Sequence, residues 1–239
     1  MKLNVLKDIT ADNFTVVASL PDMGRVGGLV SSFLSQHLKT QLIAEVTSSE
    51  KPWVSYSDGV VKRVSDVYYI FHNKKHNLFI FTGETQPQDP GELHRLCAML
   101  LDYLVSIGKI RLLYGAGGYL REHVTGAPRV CGVVNREELK SILAKAGIDF
   151  VGGEITTITW FNGLLLGACA ERGIDAIGLF GEVSETAVSQ PLAAKSILGT
   201  LSRLEGLELD TKPLDQHYES ILEEIQKKKE PSKFGPGIG

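Results

Sequence analysis

Two acidic side chains and an amide follow predicted β-strands in this sequence, at positions where acid–base chemistry is possible. Asp22 comes after the strand-forming run FTVVASL, and Glu84 and Gln86 come after LFIFTG. Because the carboxyl ends of parallel strands meet at one edge of a sheet, we expect these side chains to lie close together. Two carboxylates there could act as general acid and base. The alternative is structural, with Asp22 capping a helix and Glu84 in solvent.

Two glycine-rich segments, LPDMGRVGGLV and YGAGG, stand near these residues and could bind an anion through backbone N–H groups. The glycines concerned are Gly24, Gly27, Gly115, Gly117 and Gly118. Neither segment is a phosphate-binding P-loop, because no Lys-Ser or Lys-Thr follows the glycines. The second also fails the dinucleotide-binding pattern, since Leu120 stands where its third glycine belongs. Turns between strands and helices are the favoured interpretation of both segments.

Other catalytic arrangements are missing from the sequence. It has no GxSxG nucleophile elbow, and Cys97, Cys131 and Cys169 carry no recognised family signature. Among the histidines only His72 and His76 are close together, and two lysines between them would repel a cation. We therefore predict no catalytic residue, no metal site and no cofactor, and interpret the cysteines as small buried hydrophobic residues.

The elements that must position these side chains alternate between strand and helix along most of the chain. Buried strands such as IRLLYG and IDAIGLF alternate with helix-patterned stretches. This order predicts an α/β fold in which helices cover both faces of a mostly parallel sheet. Two hairpins between residues 50 and 80 would add antiparallel edge strands. We predict an α/β/α domain over residues 1–210, a C-terminal helix over 211–230 and a flexible tail over 231–239.

Composition and charge limit the classes of partner. The chain has 239 residues, of which 43% are hydrophobic, and a formal net charge of −3. Nucleic-acid binding normally needs a clustered basic face, which this balance does not favour. No apolar run approaches the ~20 residues that cross a bilayer, and Lys7 and Asp8 occupy the place of a signal peptide's apolar centre. We therefore expect a cytoplasmic protein without nucleic-acid or membrane partners.

Several longer stretches follow one another in a recognisable order. The first two are VVASLPDMGRVGGLVSSFL and FTGETQPQDPGELHRLCAMLLDYLVSIGKIRLLYGAGGY. They are followed by VCGVVNREELKSIL, ITTITWFNGLLLGACAERGIDAIGLFGEV and QPLAAKSILGTLSRLEGLELD, and then by a terminal helix. Together these stretches, spanning residues 12–228, resemble the proteasome assembly chaperone family, in particular its archaeal and bacterial members.

The resemblance implies an α/β/α fold similar to the phosphorylase/hydrolase-like class, without the catalytic residues of that class. In this family the MGxVG turn is a packing feature, which argues against a phosphate site there. The resemblance also implies homo-oligomers, on the order of three to five subunits. In some members it further implies assistance in assembling the proteasome α-ring.

Members of the family that assist assembly look as if they dock through a C-terminal hydrophobic-Tyr-any tripeptide. Here Gly237 stands at the hydrophobic position and Ile238 at the tyrosine position, before Gly239. Phe234, the nearest aromatic residue, is too far from the carboxylate to replace the tyrosine. If Phe234, Ile238 and Gly239 form a partner-binding tail, we expect it to bind proteasome α subunits only weakly, or the protein to engage another complex.

The predicted terminal helix carries an apolar stripe at helical spacing. Its members are Leu214, Tyr218, Ile221, Leu222 and Ile225. This stripe packs either on its own domain or on a neighbouring subunit. We therefore predict a non-enzymatic, homo-oligomeric assembly chaperone or adaptor that acts by protein–protein interaction. The alternative is a small-molecule-binding enzyme, nucleoside- or ligase-like, that uses the glycine turns with Asp22 and Glu84.

Overall fold

A nine-stranded sheet forms the centre of the structure, a computed structural model that describes residues 1–122, 124–152 and 155–229. The strands in these ranges are β1 (Lys2–Val5), β2 (Phe14–Ala18), β3 (Gln41–Thr47), β4 (Val54–Ser57), β5 (Val60–Arg63), β6 (Val67–Asn73), β7 (Leu78–Gly83), β8 (Ile110–Leu120), β9 (Val130–Val134), β10 (Asp149–Phe150) and β11 (Ala176–Val183). The large sheet has the order β1-β3-β6-β7-β2-β8-β11-β9-β10, while β4 pairs with β5.

Parallel pairing occupies the middle of this sheet. β7, β2, β8 and β11 run parallel to one another, and β10 runs parallel to β9. The remaining neighbouring pairs are antiparallel. The predicted α/β class is confirmed, with a mixed rather than mostly parallel sheet. The mixture arises partly because β3 to β7 follow one another without an intervening helix, and strands joined so directly pair antiparallel.

Helices cover both faces of the sheet. They are α1 (Val26–His37), α2 (Pro90–Ile107), α3 (Lys140–Lys145), α4 (Trp160–Glu171), α5 (Pro191–Glu205) and α6 (Lys212–Lys229). α2 and α4 share one apolar core with Val16 and Phe79, whereas α1, α3 and α5 share the other with Val17 and Ile80. Adjacent strand residues thus point to opposite cores, as the two-residue period of a strand requires. The result is the predicted three-layer arrangement.

The hairpin of β4 and β5 stands apart from the large sheet. Its turn contains Asp58 and Gly59, which both have positive φ (51° and 78°), the pattern of a type I′ turn. At its base, the N–H of Lys51 donates to the carbonyl of Val64 (2.8 Å), and Lys51 forms an ion pair with Asp66. The predicted turn is present, but the prediction that this hairpin adds edge strands to the main sheet is wrong.

The terminal helix α6 packs on α5 through its first turn. Leu214 is buried in the core shared with α1 and α5, and Asp215 accepts from the Lys195 ammonium at 2.7 Å. Further along, Tyr218 and Ile225 are only half-buried. The start of the helix is therefore seated on its own fold, and the rest of its apolar stripe lies at the surface.

Candidate functional site

A pocket of about 450 Å³ lies at the edge of the large sheet where β2 and β8 end. Leu20 and Asp22 reach it from the loop after β2, Gly118 and Leu120 from the end of β8, and Phe161 from the first turn of α4. We call it the Asp22 pocket. Parallel α/β sheets commonly bind ligands at this edge, where their strands end.

Asp22 connects the loop after β2 to the neighbouring strand. Its Oδ1 accepts from the N–H of Gly27 at 2.8 Å, and its Oδ2 accepts from the N–H of Gly118 at 2.7 Å. Burial raises the pKa of Asp22 to about 7, against the hydrogen bonds from Gly27 and Gly118 that lower it. Asp22 is thus a structural acceptor that also titrates near neutral pH.

The backbone N–H groups of the first glycine loop already have partners. Gly24, with φ of 61°, donates to the carbonyl of Thr186 at 3.0 Å. Arg25 donates to the carbonyl of Asp22 at 2.9 Å, and Gly27 donates to the same residue's carboxylate. These three N–H groups therefore form hydrogen bonds within the protein and are not available to bind an anion.

The glycines of the second segment lie inside β8, so the predicted second glycine turn is wrong. A Cβ on Gly117 would lie 2.4 Å from Asp22 Oδ2 and 2.7 Å from Asn162 Nδ2, and one on Gly118 would lie 2.6 Å from the carbonyl of Met23. A Cβ on Gly115 would lie 3.3 Å from Asn162 Oδ1. These glycines let the loop after β2 and helix α4 approach the strand closely.

Glu84 and Gln86 follow β7 but lie in different surroundings. The Glu84 side chain is 89% exposed, does not line the pocket, and has Arg25 4.0 Å away. Gln86 lines the pocket: its Nε2 donates to the carbonyl of Pro21 at 2.9 Å, and its Oε1 accepts from the N–H of Phe161 at 3.4 Å. The structure thus brings Gln86, and not Glu84, to Asp22.

Asn162 is a site residue that the sequence reasoning did not identify. It lies in the first turn of α4, is only 6% exposed, and donates from Nδ2 to the carbonyl of Ala116 at 3.0 Å. Its Oδ1 has no hydrogen-bond partner among the described residues. The sequence does contain a feature that indicates this residue: Asn162 is an amide within the otherwise apolar helical stretch WFNGLLLG. A polar side chain that is buried in such a helix needs a hydrogen-bond partner elsewhere in the fold.

Glu182, near the end of β11, is a second buried polar residue that the sequence analysis did not identify. Its carboxylate accepts from the Tyr119 hydroxyl (3.0 Å), from Arg121 Nη1 (2.8 Å) and from Arg129 Nε (3.0 Å). Burial raises the pKa of Glu182, but the hydrogen bonds from Arg129, Tyr119 and Arg121 outweigh it and hold the pKa at about 2. The ionised carboxylate thus ties the segment after β8 to β11.

Replacing Asp22 with asparagine is expected to remove a pH dependence of stability. Because the folded pKa of about 7 lies above the ordinary 3.8, this carboxyl stabilises the fold below about pH 4 and loses that contribution as the pH rises through 7. The stability of the wild type relative to Asp22→Asn should fall by up to about 1.4 kcal/mol per pH unit within that window. Urea unfolding at pH 5 and pH 8 measures the difference.

Glu182 provides a control of opposite sign. Its folded pKa of about 2 lies below the ordinary 4.5, so its contribution is present above about pH 4.5 and is lost as the pH falls toward 2. The stability gap between wild type and Glu182→Gln should therefore narrow from pH 5 to pH 3. If the difference in unfolding free energy between the wild type and Asp22→Asn is the same at pH 5 and at pH 8, the raised pKa of Asp22 is contradicted.

The hairpin of β4 and β5 carries an apolar surface far from the pocket loops in sequence. Tyr56 pairs with Val61 across the strands, and Val54 lies two residues before Tyr56, so all three share one face. They are 51% (Val54), 73% (Tyr56) and 62% (Val61) exposed. Ser55 and Lys62, also paired, lie on the opposite face. We call the set Val54, Tyr56 and Val61 the hairpin face.

The structure describes the predicted oligomer surface on α6, but it does not describe the predicted partner-binding tail. Of the stripe on α6, Leu214 is buried in the fold, Tyr218, Ile221 and Ile225 are half-buried, and Leu222 is exposed. The predicted partner-binding residues of the tail lie outside the described residues. They are Phe234, Ile238 and Gly239.

The part of the chain that the structure describes offers neither a metal-binding cluster nor a membrane-spanning helix. Within it, no group of three or more histidine, cysteine or acidic side chains has a metal-binding arrangement. No helix in the same residues is both long and apolar enough to cross a membrane. Cys97, Cys131 and Cys169 are buried as free thiols, as predicted.

Comparison with known proteins gives full-length matches. PbaB of Pyrococcus furiosus, described as an archaeal proteasome activator, is 29% identical, with a TM-score of 0.81 over 96% of this chain and 98% of its own. PbaA of the same organism, described as an archaeal homolog of proteasome-assembly chaperone, is 22% identical, with a TM-score of 0.77 over 95% of this chain and 92% of its own.

A sequence relative and a family profile extend these matches. The uncharacterized protein MJ1210 of Methanocaldococcus jannaschii is 27% identical over 234 residues, which is 93% of this chain and 87% of the relative. The profile of the PAC2 family matches residues 16–229. This range leaves out β1 and the first two residues of β2 and includes the rest of the large sheet. The chain therefore belongs to the PAC2 family.

Proposed function

We propose that this protein is a non-enzymatic, homo-oligomeric assembly chaperone or adaptor that acts on proteasome α subunits in the cytoplasm. The observation that carries the proposal is the likeness to PbaB over nearly the whole of both chains. Membership of the PAC2 family supports the same role. The geometry of the site agrees with this role, because Glu84 does not join Asp22 at the pocket and no second carboxylate is among the described residues that line it.

The hairpin face is the surface that we propose for contact between subunits. An isolated two-stranded hairpin is marginally stable in water, and this one leaves four large apolar side chains more than half exposed, three of them on the hairpin face and the fourth, Val60, on the opposite face. A second copy of the chain, packed face to face, would bury the three on the hairpin face and stabilise both hairpins. The exposed part of the α6 stripe, around Leu222, is proposed as a second and smaller contact.

The proposal is tested by mixing the purified protein with α subunits of the proteasome from the same organism. We expect a complex in native mass spectrometry, and weak binding, because residues 237–239 lack the aromatic anchor that usually supplies much of such affinity. Deleting residues 231–239 should leave this binding unchanged if the folded domain makes the contact.

The double variant Gly237→Leu, Ile238→Tyr serves as the positive control, because it installs a hydrophobic-Tyr-any tripeptide. It should bind at least about tenfold more tightly, a gain of about 1.4 kcal/mol. Failure of the wild-type protein to bind α subunits at any concentration up to about 100 times that used for the positive control would contradict a proteasome role.

A further inference from the structure

Another cavity, of about 620 Å³, lies at the edge of the large sheet where β2 and β7 begin, opposite the edge that carries the Asp22 pocket. Three segments form its walls: residues 7–11 before β2, residues 39–41 at the start of β3, and residues 72–77 around the turn between β6 and β7. We call it the lysine pocket, because each segment contributes one lysine to its lining.

The lysine pocket concentrates positive charge on a chain whose formal net charge is −3. Its lysines are Lys7, Lys39 and Lys74, and Asp8 is the one carboxylate among the described residues that line it. No ion pair in the described part of the chain involves any of these three lysines. Since ammonium groups gathered without counter-charges repel one another, an anion in the pocket would relieve that repulsion.

Hydrogen bonds between the segments fix the positions from which the lysines project. Asn73, which is 2% exposed, donates from Nδ2 to the carbonyl of Lys39 at 2.9 Å. The N–H of Lys7 donates to the carbonyl of Ile43 at 3.1 Å, and its ammonium donates to Gln41 Oε1 at 2.7 Å. The walls are therefore assembled before any ligand arrives, which reduces the entropy lost on binding.

The half-buried imidazole of His72 shows that the lysine charges converge on the pocket. This ring lines the pocket and stacks on Phe79, with 4.4 Å between the ring centroids. Burial lowers the pKa of His72, against a hydrogen bond with Asn77 that raises it. The positive charges of Lys7 and Lys74 lower this pKa further. Lysines from two different segments thus act on the same part of the lining.

We infer that the lysine pocket binds a small polyanion of the phosphate class. Lysine ammonium groups bind phosphate oxygens as point charges with several donors each. The volume lies within the range of pockets that hold small molecules, which favours a compact ligand over a long acidic segment of another protein. The charge that excludes a metal ion beside His72 favours an anion there. This site is separate from the hairpin face, and it does not depend on the proposed proteasome role.

Calorimetry of the full chain with tripolyphosphate, pyrophosphate and orthophosphate tests the inference, at about 50 mM salt, where charges are weakly screened. We expect one site per chain and a dissociation constant for tripolyphosphate below about 1 mM. Affinity should fall from tripolyphosphate to orthophosphate as the charge of the anion falls. In NMR spectra the imidazole resonances of His72 should shift with the same dissociation constant, whereas those of His94 on α2 and His217 on α6 should not.

Two double variants with the same change of charge separate the pocket from general attraction to the protein. Lys39→Ser, Lys74→Ser removes two exposed lysines of the pocket and should weaken binding of tripolyphosphate by about tenfold or more. Lys75→Ser, Lys140→Ser removes two lysines that form ion pairs outside the pocket and should change it by less than about twofold.

Four results would overturn the inference. The first is that tripolyphosphate does not bind the wild type, and the second is that the two double variants bind it equally well. The third is that the resonances of His72 do not respond to the anion. The fourth is that an oligoglutamate peptide of similar net charge binds the pocket more tightly than tripolyphosphate, which would assign the pocket to an acidic protein segment instead.

Discussion

The triple variant Val54→Ser, Tyr56→Ser, Val61→Ser is expected to remain folded and to lose the homo-oligomer. These side chains form the hairpin face, and β4 and β5 pair only with each other in the described structure. Their replacement therefore leaves the large sheet and both cores unchanged. A face-to-face contact buries these three side chains of both copies, so losing about 1 kcal/mol of apolar burial at each of the six positions removes about 6 kcal/mol from it. Association should weaken by about ten-thousandfold.

Sedimentation velocity and native mass spectrometry over a range of micromolar concentrations measure this change. The matched control is Ser55→Ala, Ser57→Ala, Lys62→Ser, which changes the opposite face of the same hairpin and should leave the assembly intact. A wild-type protein that is only a 26.1 kDa species at these concentrations would contradict the proposed oligomer. Equal dissociation of both triple variants would show that the hairpin face is not the contact.

Gly27→Ala is expected to give the largest loss of stability among the single substitutions considered for this chain. A Cβ at this position would lie 2.5 Å from the carbonyl oxygen of Ala116 and 2.6 Å from that of Leu20. Both are backbone atoms, one in β8 and one in the loop directly after β2, so helix α1 would have to move away from them. Overpacking of this kind costs about 3 kcal/mol, which lowers the melting temperature by about 10 °C in a protein of this size.

Gly167→Ala is the matched control for this substitution. Gly167 is an exposed residue inside α4, and a Cβ there would meet no atom within 4 Å. Alanine should therefore stabilise the protein by about 0.5–1 kcal/mol, the difference in helix propensity. Thermal and urea unfolding of both variants compare the two positions. The packing account of the first glycine loop fails if Gly27→Ala is as stable as the wild type.

Local patterns in the sequence were sufficient for the fold class and for much of the element order. Runs such as FTVVA and AIGLFGEV are buried strands in the structure, because a strand covered on both faces needs apolar residues at every position. The hairpin turn at Asp58 and Gly59 was also predictable, since it depends on the conformations that those two residues tolerate.

Direction and pairing of the strands depended on contacts between distant segments. β9 lies antiparallel to β11, and the hairpin of β4 and β5 leaves the large sheet, although its strands look like ordinary edge strands in sequence. The glycines at 115, 117 and 118 indicated a turn, yet they lie in β8 because Asp22, Met23 and Asn162 press against that strand. A contact from a residue dozens of positions away leaves no local signature.

The pocket shows the same division between sequence and tertiary structure. The sequence alone placed Asp22 and Gln86 after neighbouring strands, which determined that both would reach the carboxyl edge of the sheet. It could not show that Gln86 and not Glu84 would line the pocket. Glu84 and Gln86 are two residues apart in the same loop, and the backbone conformation of that loop determines that the side chain of Gln86 faces the pocket and that of Glu84 faces solvent. Asn162 reaches Asp22 only when α4 packs over the glycines of β8, so the site exists only in the folded chain.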